Sequence, residues 1–496
     1  MADFIGATPA SPPSSTITVN EAPKFELTSY ISNYRGRTVF RRLYLIGACC
    51  PPLREEAAKL AIREARRGSD LHNLEEAIKL LQTVPNYRDT ENLLDTSWAV
   101  DVEKKNAKET QRLENELKGY KNNLIKESIR VGKMGNEDLG IHYQDLGDLI
   151  NASKAFGRMR DFCTTPAHIS QTAFHIIDVA VEQRNWMAVQ SQVVKIQALQ
   201  MKPEESRHQR IVTAINGLQR MCNGEYKDAA FLFLSCDPAI SELGQILTKF
   251  MTLNDIAVYG GLCALATMSR SELQARVLDN PSFRNFLELE PHIRRATSFF
   301  VACKYTQCLE ILESYRNDYL LDLYLQPHVD RLYRRVREKS IVQYFEPFGS
   351  VRLENMEKVF GEAAVKTTTN NAATTNGVTH ISITLLDELV TLIEEGKLNA
   401  RLDMEKNLLV VSKPDARVDT YKEAERTLDN FTKDAYLKLM RITMANAGLE
   451  TKAPTPSKKK GASALDWEDE NGWSMDSTSA KVGGGYVLVE AVAVAA

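Results

Sequence analysis

Residues Ile381–Val411, ISITLLDELVTLIEEGKLNARLDMEKNLLVV, change period in mid-course, and that change decides the fold. Leu385, Leu386, Leu389, Val390, Leu392 and Ile393 recur at helical spacing. Thr384 stands where an N-cap is expected, with Asp387 as the capping acid, and Gly396 sits where a helix ends. From Leu398 the period falls to two: Leu398, Ala400 and Leu402 share one face, Asn399, Arg401 and Asp403 the other. Met404–Asn407 makes a turn and Leu408–Val411 a return strand. Ile381–Ile383 reads as a further short strand.

Two helices are predicted upstream. His328–Lys339 carries Val329, Leu332, Tyr333 and Val336 on one face, and Ser350–Phe360 has Ser350 as N-cap. The Thr/Asn-rich insert Val365–Thr379 is expected to be a mobile loop. Helix, turn, helix and hairpin is the order of a winged helix, placed over residues 326–415. The return strand Leu408–Val411 is expected to offer an open edge to a neighbouring sheet.

Further out, residues 24–325 read as almost wholly helical, and one phrase recurs in them. A small or polar turn is followed by an aromatic residue or Leu, then by a small or apolar residue three positions on. The copies are Asn73-Leu74 with Ala77, Asp148-Leu149 with Ala152, Asn185-Trp186 with Val189, Glu225-Tyr226 with Ala229, and Lys304-Tyr305 with Cys308. Their spacings are 75, 37, 40 and 79 residues, one or two periods each. A period of ~34 to 45 residues suits a helix–turn–helix unit that cannot bury its apolar face alone. The expected class is mainly α: a TPR-like or HEAT-like solenoid, then a winged helix, then a long C-terminal helix. That last helix, Asp419–Ala447 within residues 416–449, has a near-heptad stripe of Tyr421, Ala424, Leu428, Phe431, Ala435, Leu439 and Ile442. Leu437, Met440 and Met444 add a second stripe, so this end is expected to pack in a bundle with other helices. Residues 1–23, rich in Ser, Thr and Pro, and residues 450–496 read as disordered ends.

Composition narrows the function. With 62 basic and 65 acidic side chains the net charge is −3, which gives no global field to hold polyphosphate. On the second helix of the winged helix and its flank, Asp387, Glu388, Glu394 and Glu395 stand against Lys397 alone, so DNA binding is not expected. The basic run Arg331, Arg334, Arg335, Arg337 and Lys339 is read as solvated or protein-facing. No run of 18 apolar residues exists, so no membrane span is expected. No signal peptide or C-x-x-C pair is present; the eight cysteines read as free thiols in a reducing compartment. His-Glu-x-x-His and His-x-His…Asp metal motifs, phosphate loops and nucleophile elbows are missing, so no catalytic residue, cofactor or metal is assigned. His168 and His175 read as structural, with Asp178 in hydrogen-bond range of His175. Gly260-Gly261 reads as a turn or a close helix contact.

Several stretches carry a resemblance. Asn254–Thr267 (NDIAVYGGLCALAT), Phe286–Pro291, Asp138–Tyr143, Pro327–Val329, Leu332-Tyr333 and Ile341–Phe345 closely resemble the signalosome subunit 1 family, over roughly Phe25–Leu449. The C-terminal part is similar to a PCI domain. The chain departs by its 365–379 insert and its tail. The resemblance implies a non-catalytic scaffold of a complex that deneddylates cullin–RING ubiquitin ligases, in cytoplasm and nucleus, with the catalytic metal in a JAMM-type subunit. It implies other PCI-type subunits as partners, their winged helices pairing edge to edge and their last helices sharing a bundle. By position, Leu398, Leu402, Leu408, Leu409, Val410 and Val411 would serve the sheet edge. Leu428, Phe431, Leu437, Leu439, Met440, Ile442 and Met444 would serve the bundle. The arm is expected to project towards other subunits or the ligase. A proteasome-lid or translation-initiation PCI subunit is the near alternative, and a winged-helix DNA-binding regulator the distant one.

Overall fold

A computed structural model describes residues 17–84, 96–120, 125–199, 207–237, 244–368, 383–412 and 416–449. The chain divides into two units, one through Lys413 and one from Pro414 onward.

The first unit begins with α1 (Leu27–Ser32), α2 (Arg37–Cys49), α3 (Arg54–Arg67) and α4 (Leu71–Gln82). It continues through α5 (Thr96–Tyr120), α6 (Ile125–Leu146), α7 (Leu149–Met159), α8 (Pro166–Glu182), α9 (Trp186–Ala198), α10 (Arg207–Cys222) and α11 (Tyr226–Leu234). Then come α12 (Gly244–Leu247), α13 (Leu253–Thr267), α14 (Arg270–Leu273), α15 (Pro281–Leu289), α16 (Pro291–Val301) and α17 (Tyr305–Leu320).

Four of the five recurring phrases are helix-to-helix joints of one construction. They connect α6 to α7, α8 to α9, α10 to α11 and α16 to α17. At each, a residue with positive φ stops the first helix: Gly147 (86°), Arg184 (56°), Gly224 (84°) and Cys303 (58°). The next residue's N–H reaches back five residues into the helix it left: Asp148 to Tyr143 (2.9 Å), Asn185 to Ala180 (2.9 Å), Glu225 to Arg220 (3.0 Å) and Lys304 to Phe299 (2.8 Å). This is the Schellman pattern, which satisfies carbonyls that a helix end would leave bare. The following residue starts the next helix at once, so the two helices run antiparallel. Asp148 and Asn185 also cap the new helices with their side chains. The small residue of each phrase, Ala152, Val189, Ala229 or Cys308, is fully buried in the joint.

The fifth phrase differs. Asn73-Leu74 lies inside α4, whose N-cap is Asp70, accepting from the N–H groups of His72 and Asn73. Between Tyr226 and Tyr305 the regular alternation also gives way. There α13 and α14 start with capping boxes, Thr252/Asp255 and Ser269/Glu272. Helix α13 is apolar on every side and therefore runs through the core. Gly260 and Gly261 make the close helix contacts that its burial requires. A Cβ on Gly261 would stand 2.2 Å from Ile293 Cγ2, and one on Gly260 would stand 3.0 Å from Phe233 and Phe283.

The N-terminal block folds back on the far part of the arm. The fully buried Arg42 guanidinium of α2 meets Asp322 at 2.6 Å, Asp255 at 3.5 Å and the Tyr30 hydroxyl at 2.7 Å, and lies over the Tyr34 ring at 4.0 Å. Tyr34 donates to Asp255, and Tyr259 to Asp322. Two buried carboxylates around one guanidinium satisfy the rule that interior charge is paired. The lead expected to be disordered over 1–23 is therefore ordered in its second part. Val19 is buried and its N–H binds the Cys49 carbonyl, Glu21 accepts from Asn317, and Lys24 lies over Tyr315. Residues 1–16 lie outside the described set.

The winged helix consists of α18 (Val329–Phe345), β1 (Ser350–Arg352), α19 (Leu353–Thr368), α20 (Ile383–Glu394), β2 (Ala400–Asp403) and β3 (Leu408–Val411). Three expectations are corrected here. Ser350 is not an N-cap but the first residue of a strand, and the helix starts at Leu353. Val365–Thr368 is the last turn of α19, while 369–382, including Ile381 of the suggested strand, lies outside the described residues. Helix α20 starts at Ile383, ahead of the proposed cap Thr384. Its end is as expected: Gly396 has φ 70°, and the Gly396 and Lys397 N–H groups bind the carbonyls of Ile393 and Leu392.

The second unit is described by one helix, α21 (Ala416–Asn446).

Candidate assembly interface

The sheet order is β1-β3-β2, antiparallel throughout. Leu408–Val411 is thus the central strand, paired on both sides: Val351 opposes Leu409, and Leu409 opposes Leu402. The open edge expected on Leu408–Val411 does not exist, because β1 occupies it. Among the described residues the outer strands are β1 and β2. Sequence reasoning missed β1, whose three residues hold a single apolar side chain, Val351, too little to show a period.

The pleat then sorts the candidate residues. Leu398 and Leu409 are buried, and Leu402 and Val411 half-buried, so they face the hydrophobic core. Leu408 is half-buried on the other face, where Val410 is exposed beside Arg401 and Ser350. Of the six, Val410 alone offers a large exposed apolar surface.

On α21 the candidate residues are exposed: Leu428 63 %, Phe431 70 %, Leu437 56 %, Leu439 62 %, Met440 48 %, Ile442 60 % and Met444 46 %. Tyr421 and Tyr436 are exposed too, at 72 % and 64 %. Fully burying such a side chain stabilises by about 1.5–3 kcal/mol, so this helix holds a large unrealised free energy.

The basic run of α18 is largely protein-facing. Arg337 pairs with Glu388 of α20 at 2.9 Å, Arg335 lies over the Tyr226 ring, and Lys339 donates to the Leu265 carbonyl above the Phe300 ring. Burial lowers the Lys339 ammonium to about 8. His175 does not bind Asp178. Its Nε2 lies 3.3 Å from Glu137 with the ring stacked on Phe156, and burial lowers its pKa against the pull of Glu137. Burial pushes the thiols of Cys236, Cys263 and Cys308 up to about 12, the opposite of activation. Among the described residues no three His, Cys, Asp or Glu side chains gather as a metal-binding group, and no helix is long and apolar enough to cross a membrane.

A helical-repeat arm leading into a three-stranded winged helix defines the class, a PCI-domain subunit. The PCI domain family matches residues 312–413, and the family described as 26S proteasome subunit RPN7 matches residues 95–276. The COP9 signalosome complex subunit 1 of Emericella nidulans is 50% identical over 438 residues, 88% of this chain and 85% of the relative. Its counterpart in Neurospora crassa is 41% identical over 429 residues, 86% and 91% of the two chains. That of Arabidopsis thaliana is 34% identical over 422 residues, 84% and 89%. The chain belongs to the COP9 signalosome complex subunit 1 family.

Proposed function

We propose that the chain is a non-catalytic scaffold of the signalosome, joined to the other subunits through α21 and a free edge of its sheet. The relatives' shared name supports membership of that complex, and so does the PCI match. The carrying observation is α21: apolar side chains on both of its stripes are more than 45 % exposed, which favours helices of PCI-type and JAMM-type subunits as cover. Strand pairing runs along β2 or β1, the outer strands of the sheet. Cullin–RING ligases, carrying their ubiquitin-like modifier, would be met by the whole assembly, with the isopeptide bond cut by a metal centre in a JAMM-type subunit. Cytoplasm and nucleus are the expected compartments. The lid and initiation-factor readings give way to a relative 50% identical over most of the chain.

The experiment is native mass spectrometry of the tagged full chain from its own cells, with deneddylation of a cullin measured on both the complex and the chain alone. Recovery with signalosome subunits, and activity in the complex only, is expected. Recovery with proteasome base subunits, or activity of the chain alone, would overturn the proposal.

A further inference from the structure

Helix α7 carries a glycine that its own fold does not explain. Each other glycine inside a described helix of eight residues or more meets a side chain within 3.1 Å of where a Cβ would stand: Leu80 over Gly47, Phe156 over Gly140, Phe233 over Gly217, Ile293 over Gly261. Over Gly157 no atom of the described residues lies within 4 Å. A glycine inside a helix is less favourable than alanine, and close approach of another backbone is the usual reason to keep one.

The surroundings indicate what approaches. A shallow, wide-open depression lies at Gly157, lined also by Lys154, Arg158, Arg160 and Asp161. Three cations thus face one acid, on a chain whose net charge is −3. Their contacts within the chain are long: Lys154 to Asn151 at 3.4 Å, Arg158 to the Lys154 carbonyl at 3.4 Å, and Arg160 to Asp161 at 3.9 Å. One turn before Lys154 the same face shows Ile150, 53 % exposed. The opposite face, Ala152, Ala155, Phe156 and Met159, is fully buried, so the fold already uses that side of α7.

We propose that the α7 face formed by Ile150, Lys154, Gly157 and Arg158, with Arg160, is a docking surface for an acidic polypeptide segment of a partner protein. The segment's backbone passes over Gly157, its carboxylates meet the three cations, and an apolar side chain covers Ile150. This surface is separate from the sheet.

The test is fluorescence anisotropy of the full chain with a fluorescein-labelled Glu- and Leu-rich helical peptide. Binding should weaken about tenfold in Lys154→Glu/Arg158→Glu and in Gly157→Leu. The melting temperature of Gly157→Leu should equal or exceed that of the native chain, since nothing in the fold fills that space. Absence of binding, binding that survives Gly157→Leu, or preference for a short single-stranded RNA over the peptide overturns the proposal.

Discussion

Arg42 shows what a single buried charge does in this molecule. Its guanidinium pairs with Asp322 and Asp255 and stacks on the Tyr34 ring, while its buried Nε has no hydrogen-bond partner among the described residues. Burial works against both carboxylates. At Asp322 the Arg42 pair, the Tyr259 hydroxyl and the Leu325 N–H overcome it and hold the carboxyl below its usual range. At Asp255, farther from the guanidinium, burial wins and the carboxyl is raised. Arg42→Met should therefore cost about 3–5 kcal/mol in chemical denaturation, because it strands two buried acids. Asp322→Asn should cost more than Asp255→Asn; the reverse order would place the ion pair on the wrong acid. His328 is the pH-sensitive counterpart. Its Nδ1 shares a hydrogen bond with the Tyr226 hydroxyl at 2.9 Å, and burial, aided by Arg331, lowers its pKa to about 4. The folded state thus prefers the neutral ring. That preference is fully present above the unfolded value of about 6.5 and is lost as pH falls from there towards 4. Melting curves between those limits should fall less steeply for His328→Gln than for the native chain.

At the scale of elements, the Schellman joint explains why the repeat could be read without coordinates. It demands a left-handed residue, a polar residue and then an immediate new helix, and Gly147-Asp148, Arg184-Asn185 and Gly224-Glu225 supply these in order. Asn73-Leu74 imitates the wording without the geometry, since no residue beside it turns left-handed. Arg184 and Cys303 occupy a position filled elsewhere by glycine. Cys303→Gly should stabilise the α16–α17 joint by up to about 1 kcal/mol, since an L side chain is disfavoured there; an unchanged melting temperature would show the strain to be negligible. Gly261→Ala should do the opposite at the α13–α16 contact, costing about 1–3 kcal/mol through overpacking against Ile293. The sheet was only half legible. Alternation from Leu398 to Leu402 showed which face is buried, but strand order is a tertiary fact, and three residues around Val351 cannot announce that they fill an edge. Proline at Leu409 would therefore break the centre of the sheet rather than trim its margin.

For the molecule as a whole, α21 shows apolar stripes on two sides, more than a solvated helix tolerates, and the structure leaves them exposed. Phe431→Asp with Leu439→Asp should leave the melting temperature of the isolated chain unchanged, as both side chains are more than 60 % exposed, while reducing complex size on a sizing column. A complex of native size would end the bundle reading. What the sequence could not show is that the arm's two ends meet. Nothing local in Arg42 names a partner 280 residues away. On a ribosome adding about 5–20 residues per second, that separation amounts to roughly 15 to 55 s. For that interval the emerging N-terminal helices carry a cation destined for the interior without the acid that binds it at the shorter distance. The early chain is therefore left waiting on its own later synthesis, and it is then that a chaperone or a co-translationally bound companion has most to protect.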